Sequence, residues 1–293
     1  MEGVQYIPGG STLNTMRCSN WMLRKANPNS VTYVGCIGKD NYGETLTKKA
    51  EEEGLSMPVM RVDDTPTGTC AVCIVGKDRS MVANLAAANN FKDTHLAEPA
   101  VKKAIEEAGI YYSAGFHLTV SPPAMIAVGK AAAADKAKNF SINLSAPFVC
   151  EFFKSQMLEV MPFVDIVFGN DDEARAFAKA NELDTDDLAK IAAHIIGLPK
   201  ENKDKPRVVV FTQGAKSTLV ATADGNKEVP VEPIPAEKII DLNGAGDAFV
   251  GGFLAMMALG KDYETCAKCG HYVAGTIIQH SGCAYPENPE QFV

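Results

Sequence analysis

The chain has no uninterrupted apolar run of about eighteen residues, which argues against a membrane-spanning helix. It also lacks a basic excess. Lys and Arg number 28 against 36 Asp and Glu, a net charge of −8, so a nucleic-acid-binding face is not expected. Scattered Lys and Arg still allow a small anionic ligand held by local groups. Residues 1–8, MEGVQYIP, have neither the basic start nor the apolar core of a secretory signal. No internal repeat and no low-complexity stretch occurs, and there is no Walker-type G-x-x-x-x-G-K-S/T loop. Two cysteine pairs have C-x-x-C spacing, Cys70/Cys73 and Cys266/Cys269, but they lie too far apart in sequence for a zinc ribbon. The 8 cysteines sit in apolar surroundings and read as buried, reduced thiols of a cytoplasmic protein.

What is present is ordinary globular composition: 293 residues, 46% hydrophobic and 22% charged. That length supports one large α/β domain with an appendage, or two domains. From residue 110 onward strands and helices alternate. IYYSAG (110–115), FSINLS (140–145), VDIVFG (164–169), RVVVF (207–211) and STLVAT (217–222) read as strands. PPAMIAVGKAAAADKA (122–137), the amphipathic run 148–161, DDEARAFAKA (171–180) and segments near 245–259 and 262–280 read as helices. Such alternation means βαβ units and a mostly parallel sheet covered on both faces. Ligands of such sheets bind at the C-terminal edge of the strands. Asn143, Asn170 and the run Thr212-Gln213-Gly214 all fall there.

The segment TGTCAVCIVGKDRSMVANL (67–85) breaks the alternation. Two apolar stretches flank the polar turn Gly76-Lys77-Asp78-Arg79, a hairpin signal, and a small projecting sheet is expected. Residues 198–206, LPKENKDKP, read as a solvated connection.

The densest chemistry lies in DLNGAGDAFVGGF (241–253). Gly244, Ala245 and Gly246 precede an acid, Asp247, where an apolar helix begins. Asn-Gly makes a turn and Asp favours a helix start, which accounts for the residues structurally. Yet first-turn N–H groups have no internal partner and attract an anion, and glycines let it approach. An acid beside a bound anion is unfavourable unless it is needed, and accepting a proton from a hydroxyl that attacks a phosphoryl group is one such need.

This run resembles the signature of the ribokinase-like (PfkB) carbohydrate kinases. PGGSTLNT (8–15), PTGTCAVCIVG (66–76), NLAAANN (84–90), AGFHLTVSP (114–122), NLSAPF (143–148) and FGNDDEA (168–174) together resemble its nucleoside-phosphorylating members, in order and over essentially the whole chain. The resemblance implies a ribokinase-like three-layer α/β sandwich with a mostly parallel central sheet and a small β lid. It places the large domain at 9–57 and 91–293 and the lid at 1–8 and 58–90. It implies adenosine as acceptor and ATP as donor, with Mg²⁺ and an optional monovalent cation, in a monomer of the cytoplasm and also the nucleus, with no membrane or nucleic-acid partner.

By the same resemblance Asp247 is the base for the ribose 5′-hydroxyl, and the amides of Gly244, Ala245 and Gly246 form an anion hole. Arg79 swings toward the phosphates, with an exposed turn arginine as the equal alternative. Gly10 and Asn14 hold ribose hydroxyls, and the Ser11 backbone meets adenine. Phe116 and Phe148 surround the base, and Cys70, Met81, Ala83 and Leu85 line the lid. Asn143, Asn170, Thr212, Gly214, Asn243 and His271 fall on the ATP side, although His271 is equally readable as a packed core histidine. Asn170 and Glu173 match an Asn-x-x-Glu element that places Mg²⁺, often through water. A capping box at the start of the helix explains the same pair and is compatible with that role.

Family members usually begin with a strand whose Asp grips the ribose, followed by lid strands; this chain is expected to lack that strand and part of the lid. Two alternatives therefore stand beside the nucleoside-kinase reading: a sugar or other nucleoside kinase of the same fold, and an inactive nucleotide-binding remnant.

Overall fold

The computed structural model describes residues 4, 6–75, 78–289 and 292, with the backbone alone at 74, 75, 78 and 79. The first helix, α1 (Ser11–Leu23), starts directly after Gly10, whose φ of +107° disfavours any residue with a side chain. Strand β1 (Cys36–Gly38) follows, then α2 (Asn41–Glu52). The Asp40 carboxylate caps α2 by accepting from the Gly43 N–H at 2.8 Å, and it also accepts from the Thr67 N–H and hydroxyl at 2.7 Å each. That acid therefore ties a helix start to the base of the hairpin.

Strand β2 (Met60–Val62) pairs in parallel with β1, Cys36 opposite Met60 and Gly38 opposite Val62. Residues 60–62, read from the sequence as part of the lid, thus extend the β1 layer. The hairpin itself is β3 (Thr69–Val75) and β4 (Asp78–Asn84), antiparallel from Thr69↔Asn84 to Val75↔Asp78. Its Cys70 and Cys73 are exposed, which corrects the expectation that both C-x-x-C pairs are buried. A two-stranded ribbon has too little packed area to hide both faces.

The middle of the chain builds α3 (Pro99–Glu107), β5 (Ile110–Ala114), α4 (Pro122–Ala133), β6 (Asn139–Asn143), α5 (Pro147–Phe152), α6 (Lys154–Val160), β7 (Ile166–Asn170), α7 (Asp171–Ala180) and α8 (Leu188–Gly197). Strands β8 (Val208–Gln213), β9 (Lys216–Thr222) and β10 (Gly225–Val229) complete a six-stranded sheet ordered β10-β9-β8-β7-β6-β5. Strands β5 to β8 are parallel, and β9 and β10 are antiparallel additions at one side. β10 lies outside the alternation read from the sequence. GNKEV has one buried residue, and an edge strand needs only ladder bonds to β9.

Two helices also differ from their sequence boundaries. α4 stops at Ala133, short of residue 137, because the Asp135 carboxylate takes the Ala137 N–H at 2.9 Å and turns the chain. The amphipathic run 148–161 divides into α5 and α6 at Phe153. The strands bury Phe140, Ile142, Val167, Val209 and Phe211 against Met125, Val149, Met157, Phe177 and Ile195 of the helices. Each such side chain contributes about 1.5–3 kcal/mol on burial.

The chain ends with α9 (Ala245–Ala258) and α10 (Tyr263–Ile277). α9 is buried without interruption from Ala248 to Met256, as expected of a helix that is apolar all round. Its adjacent Gly251 and Gly252 set how closely its neighbours approach. A Cβ on Gly251 would lie 2.6 Å from both the Cys18 Cβ and the Thr15 carbonyl of α1, and one on Gly252 would lie 2.7 Å from the Cys269 carbonyl of α10. No helix among the described residues is long and apolar enough to cross a membrane. The chain forms two compact units, the first comprising 1–91, 233–261 and 268–293, the second 92–232 and 262–267.

Candidate active site

In the first unit the backbone-close crossing of α1 and α9 sets their first turns side by side. The Ser11 hydroxyl donates to one Asp247 carboxylate oxygen at 2.7 Å, and the Asn14 Nδ2 donates to the other at 3.0 Å. The Ser11 side chain is thus engaged with Asp247, a contact its sequence context did not suggest. Burial pushes the Asp247 carboxyl up to about 6, against the pull of those two hydrogen bonds. At neutral pH the acid is ionised yet close to its midpoint, the condition that suits a general base. The Asn14 Oδ1 is buried with no hydrogen-bond partner in the structure. A buried acceptor without a donor costs free energy, and a ligand hydroxyl would satisfy it.

The segment preceding Asp247 starts α9 without a side-chain cap, and its Gly244 is left-handed, φ +80°. A Cβ on Gly246 would meet nothing within 4 Å, so the space beside that amide is open. The Ala245 N–H reaches back to the Leu242 carbonyl at 3.3 Å, so of the three amides expected in the anion hole that one is already engaged. Asn243 is a fastener: its N–H and its Nδ2 both donate to one oxygen of buried Asp241, at 3.0 and 2.8 Å. His271 lies on α10 with its ring 5.4 Å from that of Phe249, and burial lowers its pKa from the usual value. The structure thus gives His271 a ring contact on α9.

In the hairpin, the pairs Cys70↔Ala83 and Val72↔Met81 put Cys70, Met81 and Ala83 on one face. Met81 and Leu85 are exposed large apolar side chains. The Arg79 backbone pairs with Ile74; its side chain lies outside the described residues.

In the second unit the candidates gather at the C-terminal ends of the parallel strands. Phe116 follows β5 and Phe148 opens α5, with ring centroids 6.1 Å apart and planes tilted by 36°. They are 40% and 44% exposed, a large, partly open apolar pair. Asn143 ends β6 and accepts the Ser145 N–H at 2.9 Å. Asn170 and Thr212 are register partners at the ends of β7 and β8, and Gly214 takes φ +59° in the turn beyond.

Asn170 and Glu173 form a reciprocal capping box. The Asn170 Oδ1 accepts the Glu173 N–H at 2.8 Å, while the two Glu173 oxygens accept the Asn170 N–H and Nδ2, each at 2.9 Å. Glu173 is only 6% exposed. Among the described residues no cluster of three or more His, Cys, Asp or Glu could cage a metal ion. Both Glu173 carboxylate oxygens are already engaged at the start of α7. The pair therefore fits an outer-sphere role toward Mg²⁺, an ion that keeps most of its water, and does not fit direct coordination.

Missed from the sequence were Asp241, whose hydrogen bond to the amide two residues on is an Asx turn, and Arg17, a charged residue in the half of α1 that is buried. Both carried a faint signal.

The model of the pfkB family of carbohydrate kinases matches residues 1–291. Adenosine kinase 1 of Arabidopsis thaliana is 46% identical over 287 residues, spanning 98% of this chain and 83% of that protein. The apo structure of Trypanosoma brucei brucei adenosine kinase superposes with a TM-score of 0.91 at 45% identity, covering 96% of this chain and 84% of that one. Anopheles gambiae adenosine kinase, solved with P1,P4-di(adenosine-5) tetraphosphate, gives 0.90 at 42%, covering 96% and 83%. The expected ribokinase-like α/β fold with a mostly parallel central sheet is therefore the observed one. By descent and by fold, the chain belongs to the pfkB family of carbohydrate kinases.

Proposed function

We propose that this protein is an adenosine kinase, a phosphotransferase with an alcohol acceptor that moves the γ-phosphoryl group of ATP to the adenosine 5′-hydroxyl, giving AMP and ADP. The observation that carries the mechanism is Asp247, held by Ser11 and Asn14 at the open, glycine-led start of α9. The Asp247 carboxylate accepts the proton of the attacking hydroxyl as its oxygen bonds to phosphorus. ADP leaves with the electron pair of the broken P–O bond. Charge on the equatorial oxygens is met by the amides of the Gly244-Ala245-Gly246 run and by the helix dipole. The buried Asn14 Oδ1 takes a ribose hydroxyl and positions the sugar.

For the second unit the same reading gives the nucleoside base to Phe116 and Phe148, whose exposed rings offer a stacking face. Asn143, Asn170, Thr212 and Gly214 serve the donor nucleotide. Mg²⁺ accompanies ATP; Asn170 and Glu173 would hold its water shell, and the ion would supply neutralising charge at the phosphate oxygens. The hairpin face of Cys70, Met81 and Ala83 closes over the acceptor with Leu85, excluding water, and Arg79 at its tip adds positive charge.

Incubating the full chain with ATP, Mg²⁺ and adenosine, and resolving nucleotides by chromatography, should show stoichiometric AMP and ADP. Ribose, fructose and the other common nucleosides serve as competing acceptors. Phosphorylation of one of them in preference to adenosine would replace this reading.

A further inference from the structure

Arg17 is out of place by composition. It lies in the buried half of α1, between Met16 and Cys18, with 4% of its surface exposed. Neutralising a buried guanidinium requires one carboxylate, and Glu53 at the end of α2 supplies it. Arg17 Nε donates to the Glu53 Oε2 at 2.7 Å and Nη2 to Oε1 at 2.6 Å. The Tyr285 hydroxyl also donates to the Glu53 Oε2 at 2.7 Å, and its ring lies 5.4 Å from the guanidinium carbon.

The third nitrogen is left over from that pairing. Nη1 donates to two main-chain carbonyls from opposite ends of the chain, Pro8 and Cys283, each at 3.0 Å. Pro8 immediately precedes Gly9-Gly10, the loop that launches α1 with Ser11 and Asn14. One residue before Cys283, the Gly282 N–H donates to the Asp241 carboxylate at 3.1 Å. The other Asp241 oxygen holds Asn243, next to the left-handed Gly244 that starts α9.

We propose that Arg17 is a positioning residue: its Nη1 ties the Gly9-Gly10 loop and, through Gly282 and Asp241, the phosphoryl cradle at 243–247 to a single buried point. It touches no reacting atom. Its role is to hold Asp247's two hydrogen-bond donors and the cradle amides in one mutual register. This rests on the kinase reading above for its consequence in turnover, while the mechanical claim stands on the geometry alone. A lysine could pair with Glu53 but lacks the planar fork that reaches both carbonyls at once.

The test separates the carbonyl side of the guanidinium from its carboxylate side, using amide hydrogen exchange on the full, ligand-free chain. In Arg17→Lys, amides within 242–248 should exchange at least about tenfold faster. kcat for adenosine should fall about ten- to a hundredfold, measured well below the melting temperature. Glu53→Gln should lower the melting temperature, yet leave both exchange at 242–248 and kcat unchanged. Asp241→Asn should reproduce the faster exchange, and the Arg17→Lys/Asp241→Asn double variant should be no worse than the worse single one. Wild-type exchange at 242–248 in Arg17→Lys, or an equal rise in Glu53→Gln, would overturn the proposal. Should Arg17→Lys fail to fold, Asp241→Asn decides alone, and unchanged exchange there overturns it. A wild-type chain that makes no AMP would sink the kinase reading and leave the exchange result standing.

Discussion

Asp247 and Glu173 occupy the same place in two different helices, the third residue of α9 in the first unit and of α7 in the second. Their fates differ because of the residue three positions earlier. α7 has Asn170 as its cap, so Glu173 folds back and spends both oxygens on its own helix. α9 has Gly244, which offers no side chain, and the shorter Asp247 is held instead by α1. One acid locks its own helix; the other is held by two donors of a neighbouring helix at an uncapped helix start. Availability for chemistry is thus set by the cap as much as by the acid.

The sharpest way to break the comparison is Asp247→Asn. Turnover should fall about 10²–10⁴-fold, the typical worth of a general base, while adenosine still binds. Stability should move the other way. Because the carboxyl's folded pKa is raised to about 6 by burial, its ionised form weakens the fold above that pH, and the penalty disappears as pH falls through 6 toward the ordinary carboxylate value. The variant should therefore melt above the wild type at pH 8 and level with it near pH 4. Wild-type kcat should itself decline below about pH 6 as the base protonates. Scanning calorimetry across that range, beside the kinetics, checks both signs. A variant with near-normal turnover would remove Asp247 from the reaction.

Phe148→Ala probes the second unit's exposed aromatics. Stacking on a base is worth about 1–3 kcal/mol, so KM for adenosine should rise about five- to a hundredfold with the melting temperature unmoved, since the ring is 44% exposed. A drop in stability with unaltered KM would make the ring a packing residue.

The smallest effect is expected from Glu173→Gln. Its amide would face two donors of Asn170, and a cap is worth about 1 kcal/mol, a shift of about 2–4 °C in melting temperature. The Mg²⁺ concentration giving half-maximal rate should rise as the proposed hold on the ion's water shell weakens, with KM for adenosine constant. A melting shift with an unchanged Mg²⁺ requirement would reduce the pair to its cap alone.

Much of the second unit was legible in the sequence because its elements obey local rules. VDIVFG and RVVVF are apolar runs of strand length, and DDEARAFAKA has acids on its first turn and spans α7 itself. What escaped were the helices α3 and α8 and the strand β10, whose sequence is polar and whose existence depends on β9. The first unit was legible at its hairpin, its glycine motif and its last two helices, and not in its long-range contacts. Nothing in STLNTMRCSNWML says that Ser11 will hold an acid 236 positions away, or that Arg17 will meet carbonyls of Pro8 and Cys283.

The sequence by itself determined the alternating α/β plan, the helix start at Gly244-Ala245, and the identity of the acid beside it, since period, glycine and caps act over a few residues. Only the tertiary structure decided which carboxylate stays free, how far its pKa rises and which donors hold it. Those quantities depend on burial and on hydrogen bonds between helices distant in sequence. They are set by the α1–α9 crossing, where Gly251 leaves no room for a side chain.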